Sequence, residues 1–170
     1  MSTMQPLRDE HRELLPRIEE IRVVADGVGS VKPDVLRAQI AEVSAFLREH
    51  LIPHAKAEDA VLYPEVERAM AAPRATASMS RDHVEVAALT TQLGEIGGRI
   101  TDEVPPAEEA AARRVLYGLY ALVKLHFTEE EEIYVPVLED ALDAHDAREM
   151  FDRMEAAAAD ARASVTGAVT

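Results

Sequence analysis

Two short segments of the sequence carry a histidine followed four residues later by a glutamate: His54 with Glu58, and His126 with Glu130. In both segments an acid directly follows the glutamate, and a proline stands ten residues after the histidine. Residues four apart lie on nearly the same face of an α-helix, so each pair presents an imidazole nitrogen and a carboxylate to one point. Each pair is therefore predicted to form half of a metal site.

The two segments are 72 residues apart, and a second motif recurs at the same distance. Glu10-His11 and Asp82-His83 each place an acid before a histidine, with a glutamate two residues after it. Imidazole and carboxylate ligands without sulfur suit iron, manganese or zinc, and carboxylates can bridge two metals that lie close together. We therefore expect a two-metal centre, for which the repeat supplies six ligands: His11, His54, Glu58, His83, His126 and Glu130.

His50 is a seventh candidate ligand, four residues before His54 on the same stripe, although Leu122 stands at the equivalent repeat position. Two six-coordinate irons need about twelve bonds. Five imidazoles, two bridging glutamates and one oxo or hydroxo bridge leave one position open, whereas four imidazoles leave two. This count favours His50 as a metal ligand, with a place beside the ligands as the alternative. The other acids of the run Glu129–Glu132 are expected on a solvated face.

Long amphipathic helices must position these residues, since apolar side chains recur at spacings of three, four and seven. The predicted helices span about 7–25, 35–70, 75–100 and 107–142, followed by a tail helix at about 146–161. Short connections force consecutive helices to lie antiparallel, which predicts an all-α, up-down-up-down four-helix bundle over about 5–142 with a short extra C-terminal helix, in a single domain of residues 1–170. The helices contain four prolines, each expected to kink them: Pro16, Pro53, Pro64 and Pro136.

Composition narrows the classes of function. The sequence has no cysteine, which excludes disulfides, zinc–thiolate sites and thiol nucleophiles. A formal net charge of -14 disfavours nucleic acid and anionic membranes as partners. No stretch approaches the ~18–20 apolar residues of a membrane span, and the charged N-terminus does not resemble a signal peptide. We expect a cytoplasmic protein, a monomer or weak homodimer, with no nucleic-acid or membrane partner.

The ordered set of four histidines and two glutamates resembles the hemerythrin-like, or HHE cation-binding, family of non-haem di-iron four-helix bundles, over about residues 5–142. The stretches around His54 and His126 look like bacterial members in particular. Animal oxygen carriers of this family have a second histidine four residues after the one on the third helix, where this sequence has Ala87, and an aspartate where Glu130 stands. The resemblance implies two iron ions, bridged by oxo or hydroxo, as the cofactor.

The leading interpretation is a di-iron protein that binds oxygen or an oxygen-derived small ligand, diatomic or peroxide, for sensing or storage. Five neutral imidazoles and two carboxylates would leave little anionic charge on the metals, which favours reversible binding. One alternative is a di-iron enzyme that breaks down hydrogen peroxide, as a catalase does, or nitric oxide; two open metal positions would favour it. Another is an iron-buffering or metal-stabilised structural bundle. A sensor would also need a separate signalling partner.

Overall fold

The computed structural model describes residues 2–167, with side chains described for residues 2–164. Apart from short connections, this part of the chain is helical, and it contains no strand. Its α-helices are α1 (Gln5–Gly27), α2 (Pro33–Phe46), α3 (Ile52–Ala57), α4 (Tyr63–Met70), α5 (Ala77–Arg99), α6 (Pro106–Glu129), α7 (Val135–Ala141) and α8 (Ala144–Gly167). Three π-helical turns, with i→i+5 hydrogen bonds, join some of them end to end: π1 (Leu47–Leu51), π2 (Glu58–Leu62) and π3 (Glu130–Tyr134).

The helices form four long rods and one additional helix. The first rod is α1, the second runs from α2 through π1, α3 and π2 to α4, the third is α5, and the fourth runs from α6 through π3 to α7. The first rod packs against the second and the fourth, and the third rod also packs against both. The predicted all-α bundle with an extra C-terminal helix is thus confirmed. Within the described residues, no helix is long and apolar enough to cross a membrane.

The additional helix α8 is longer than the sequence pattern indicates. It begins at Ala144 and continues to Gly167, past the predicted end near Ala161. The alanines of residues 156–161 favour a helix, and a helix that has formed extends readily because each added residue gains a hydrogen bond. Helix α8 packs against α3 and π2, and thereby covers the second rod.

The π turns explain how the rods accommodate proline. Pro53, Pro64 and Pro136 each stand two residues after the end of a π turn. Because proline has no N–H and its ring clashes with the preceding turn, the wider π turn relieves a contact that an α turn would not. Pro16, by contrast, lies inside an α1 that continues on both sides. The turn π1 has no equivalent in the fourth rod, where Leu125 takes the repeat position of Pro53.

The apolar interior is divided into two clusters along the bundle. The larger cluster is built from α1, α2, π1, α5 and α6, and the smaller one lies between α4, α7, α8 and the first turn of α1. The first three rods cross from one cluster to the other at their histidine, and the fourth crosses at Glu130, between Phe127 and Tyr134. In α1, for example, Leu7 belongs to the smaller cluster and Ile18 to the larger, with His11 between them. A polar layer therefore separates the two apolar cores.

Candidate metal centre

The polar layer contains all six side chains of the repeat. His11 comes from α1, His54 from α3, His83 from α5 and His126 from α6, while Glu58 and Glu130 open π2 and π3. They form two groups whose ligand atoms lie within 4.8 Å of one another: His11 with His54, Glu58 and Glu130, and Glu58 with His83 and His126. The structure thus brings His11 to His54 and His83 to His126, so each group takes both of its histidines from one half of the repeat.

Glu58 belongs to both groups because its two oxygens face different histidines. Its Oε1 lies 2.8 Å from His54 Nε2 and 3.8 Å from His11 Nε2. Its Oε2 lies 3.3 Å from His83 Nε2. A carboxylate whose oxygens point to two separate imidazole pairs has the geometry of a bridge between two cations.

Glu130 also spans the two groups. Its Oε2 lies 3.4 Å from His11 Nε2, and its Oε1 lies 3.5 Å from His126 Nε2. The hydroxyl of Tyr63 donates a hydrogen bond of 2.7 Å to Oε1. The repeat position of Tyr63 is Val135, so this tyrosine distinguishes one half of the centre from the other.

The burial of these groups shows that the site fits a cation. Glu58 and Glu130 are both 0% exposed. Both oxygens of Glu58, Oε2 of Glu130 and the Nε2 atoms of His11 and His54 have no hydrogen-bond partner in the described part of the chain. His54 Nε2 and Glu58 Oε1 are close but lack hydrogen-bond geometry, as expected of two atoms that face a common third partner. Buried unpaired carboxylates are strongly destabilising, and a cation between them would compensate their charge.

A carboxylate contacts the Nδ1 atom of every histidine in the centre. The contacts are His11 with Glu131 at 2.9 Å, His54 with Glu10 at 3.0 Å, His83 with Asp59 at 3.0 Å and His126 with Asp82 at 3.4 Å. Because a carboxylate can only accept, each Nδ1 carries a proton, and in the neutral imidazole the Nε2 lone pair faces the centre. Such contacts fix the ring orientation and raise the basicity of metal-binding histidines.

Glu131 has a role that the prediction of a solvated face did not include: its side chain is 30% exposed, and its Oε1 contacts His11 Nδ1. The 72-residue repeat in the sequence could have predicted this contact. Glu131 and Asp59 are equivalent in the repeat, as are Glu10 and Asp82. A pair of acids that recurs beside the ligands at the same offset of 72 residues marks the groups that orient the histidines.

His50 lies outside the centre. Its side chain is exposed and stacks on Phe46, with 5.9 Å between the ring centroids. The expectation that His50 and His54 share a face assumed a regular α-helix, but His50 lies within π1, where the wider turn changes the angle between residues four apart. The structure therefore brings four imidazoles to the centre.

A small cavity adjoins the centre. Its volume is about 20 Å³, which is room for about one water-sized molecule. Besides His54, Glu58, His83 and His126, its walls are apolar: Leu51, Ala55, Val86, Val123 and Phe127. A ligand in this cavity would have to be very small.

The carboxylates also shift the pKa values of the histidines, and these shifts predict how the stability of the metal-free protein depends on pH. Burial alone would lower the pKa of His83, but hydrogen bonds and charges of Asp59 and Glu58 outweigh it and raise this pKa to about 9. The pKa of His54 is likewise raised, because Glu58 and Glu10 outweigh its burial. A histidine with a raised folded-state pKa stabilises the fold fully below its unfolded pKa of about 6.5 and loses that contribution as the pH rises through the folded value.

We therefore expect the free energy of unfolding of the metal-free protein to fall between about pH 6.5 and 9. Urea denaturation at a series of pH values in the presence of a chelator would measure it. The His83→Gln variant is the control and should show a smaller fall. A metal-free protein that is equally stable at both ends of this range would contradict the raised pKa values.

The four rods and the layer of histidines and glutamates between them define a four-helix bundle with a cation-binding centre. The chain belongs to the hemerythrin HHE cation-binding domain family, which it matches over residues 3–138. This range covers all six side chains of the centre. All of α8, which begins at Ala144, lies beyond it.

A curated relative shares part of this sequence. The iron-sulfur cluster repair protein YtfE of Yersinia pseudotuberculosis serotype IB (strain PB1/+) is 34% identical over 110 residues, which cover 64% of this chain and 48% of that protein. The chain thus spans about half the length of this relative. No solved structure gives a significant match.

Proposed function

We propose that the centre holds two iron ions and binds a diatomic or peroxide-sized ligand between the histidine pairs. His11 and His54 would hold one ion, and His83 and His126 would hold the other. Glu58 and Glu130 would each contact both ions. The observation that supports this most is that each of the two buried glutamates reaches both pairs. When bound, two such ions supply Lewis-acid and redox chemistry to a small ligand.

The chain's own residues select the ligand by size and polarity. The cavity of about 20 Å³ beside the histidines has room for about one water-sized molecule, which restricts the ligand to the smallest species. Phe127 closes one side and stacks on His11 with 4.3 Å between ring centroids. The apolar walls exclude bulk water, which strengthens the electrostatic interactions of the ligand with the centre.

The number of histidines bears on what happens to the ligand. With His50 outside the centre, four imidazoles, two bridging glutamates and one oxo or hydroxo bridge leave two positions open on six-coordinate ions. Two open positions would give a small ligand such as peroxide access to the metal chemistry of the centre. We therefore propose turnover of peroxide or a nitrogen oxide in preference to reversible storage of oxygen.

Metal analysis and ligand titration of purified protein test this proposal. We expect about two irons per chain, a charge-transfer band near the ultraviolet that azide changes on binding, and consumption of added hydrogen peroxide. Ala55→Leu should fill the cavity and weaken azide binding at least about tenfold with the iron content unchanged. His50→Ala is the matched control and should change neither the azide binding nor the iron content. An iron-free protein, or azide binding that Ala55→Leu leaves intact, would contradict the proposal.

A second candidate function is a part in iron–sulfur cluster repair, which the similarity to the Yersinia protein favours. Restoring a damaged cluster requires a source of iron, and a two-iron centre whose histidines are oriented by exposed acids such as Glu10 could release it. Transfer of labelled iron to an apo iron–sulfur protein distinguishes the two functions. Transfer within minutes in the presence of a competing chelator would support repair, whereas retention of iron would support ligand chemistry at a stable centre.

A further inference from the structure

A second and much larger cavity lies on the outside of the bundle, between α2, π1 and α5. It is a groove with a volume of about 830 Å³, within the range of about 300–1,000 Å³ that is common for small-molecule sites. Its lining is mainly apolar and shares no residue with the cavity at the metal centre. Whatever binds here is therefore separate from the ligand of the centre.

Glycines of α5 form one wall of this groove. Glycine destabilises a helix interior relative to alanine, so three glycines near the end of one helix need a reason. Gly97 has one in packing, because a Cβ there would lie 2.8 Å from Ile40 Cγ2. A Cβ on Gly98 would have no heavy atom within 4 Å. Packing does not require Gly98, but the absence of a side chain there keeps the groove wide.

A buried hydroxyl lines the opposite wall. Ser44 of α2 is only 3% exposed, and its Oγ has no hydrogen-bond partner among the described residues. A serine in a helix commonly bonds the carbonyl four residues before it, as Ser164 and the threonines Thr90 and Thr91 do in this protein. An unpaired buried hydroxyl is unfavourable, and a ligand in the groove could pair it.

The charges around the groove are opposite in sign to those of the whole protein. Arg37, Arg48 and Arg162 line it together with a single acid, Glu49, in a chain of net charge -14. Arg37 is held by a hydrogen bond of 3.4 Å to the Ile100 carbonyl. Arg48 makes no hydrogen bond or ion pair within the part of the chain that the structure describes. A positive rim over an apolar floor favours an anion with an apolar body.

We propose that the groove binds a carboxylate carried on an apolar body, such as a medium-chain fatty acid. The planar guanidinium of Arg48 matches a carboxylate with two parallel hydrogen bonds, and the Ser44 hydroxyl would donate a further one after its side chain rotates toward the groove. Ile40 and the glycine wall receive the apolar chain. The volume of the groove suits a small molecule, and the arginines provide the charge complementarity.

Calorimetric titration of the full chain with octanoate tests this proposal. Acetate provides the charge without the apolar body, and 1-octanol the body without the charge. We expect octanoate to bind at least about tenfold more tightly than either, and Arg48→Gln to weaken octanoate binding about tenfold. Gly98→Leu should block the groove, while Arg81→Gln, an exposed arginine of α5 outside the groove, should leave binding unchanged. Iron content should be the same in all variants, so failure here and failure of the metal proposal are distinguishable.

Three outcomes would overturn the proposal. Octanol that binds as tightly as octanoate would show that the arginines take no part. Octanoate binding that Arg48→Gln leaves unchanged would place the ligand elsewhere. Self-association in sedimentation that Gly98→Leu abolishes would identify a second copy of this chain as the occupant. Because Arg48 is exposed, its variant tests the proposal even if Gly98→Leu fails to fold.

Discussion

Replacing Glu58 with alanine should reduce bound metal from about two ions per chain to one or none. Glu58 belongs to both ligand groups and is fully buried, so its removal takes one anionic bridge from both cations at once. Water cannot compensate the charge of the cations that the lost carboxylate leaves unpaired, and an uncompensated buried charge costs on the order of several kcal/mol. Metal content per chain, measured by atomic emission after desalting, reports the loss directly.

Three other acids of the π3 region make this a graded series. Glu130→Ala should behave like Glu58→Ala, because it also spans both groups. Glu131→Ala removes only the carboxylate that orients His11, and should weaken metal binding by about 10–100-fold. Glu132 is exposed and contacts no histidine of the centre, so Glu132→Ala should bind metal normally. Full loading of Glu58→Ala would disprove the bridging role.

Removing the metal from the unmodified protein should lower its thermal midpoint by about 8–16 °C. A ligand present at about a thousand times its dissociation constant stabilises the fold by about 4 kcal/mol, and each kcal/mol shifts the midpoint of a chain of this size by about 2–4 °C. The physical reason is the polar layer between the two apolar cores, which the cations neutralise. Differential scanning calorimetry with and without a chelator measures the shift.

The Glu58→Ala variant is the control for metal removal, because it should bind little metal and its midpoint should not respond to the chelator. Equal midpoints of the loaded and stripped forms of the unmodified protein would mean that the metal does not stabilise the fold. In that case the two apolar cores alone would hold the bundle together.

The sequence predicts the bundle and the six residues that meet in the polar layer, because both depend on regular spacing. Apolar periodicity identifies the rods, and the 72-residue repeat identifies His11, His54 and their equivalents. Regular spacing fails at π1, two residues before Pro53, and the structure does not bring His50, which lies in this turn, to the other six residues. Proline marks where a helix is disturbed but does not specify whether it kinks or widens.

The groove on the outside of the bundle could not be predicted from the sequence. Gly94, Gly97 and Gly98 suggest only a weakened helix end, because the neighbours of Gly94 and Gly97 are distant along the chain and Gly98 has none. Arg48 of π1 approaches Gly94, and Ile40 of α2 approaches Gly97, where the second rod packs against α5. Tertiary contacts of this kind leave no periodic trace in the sequence.

The carboxylate contacts have a consequence for the equivalence of the two metal positions. The contacts of His54 and His126 stay within their own half of the repeat, whereas those of His11 and His83 cross to the other half. A homodimer of one helical hairpin would build the same centre, so the chain is geometrically a dimer whose subunits are fused.

Because the two halves belong to one chain, their residues can differ, whereas the subunits of a homodimer have identical residues. Tyr63, whose hydroxyl lies 3.1 Å from His126 Nε2 and 3.3 Å from His83 Nε2, stands in one half, and Val135 occupies its place in the other. The pair of His83 and His126 therefore has a phenol beside it, and the pair of His11 and His54 does not. Two ions held by these pairs would be chemically distinct, and a ligand between them would meet two different ends.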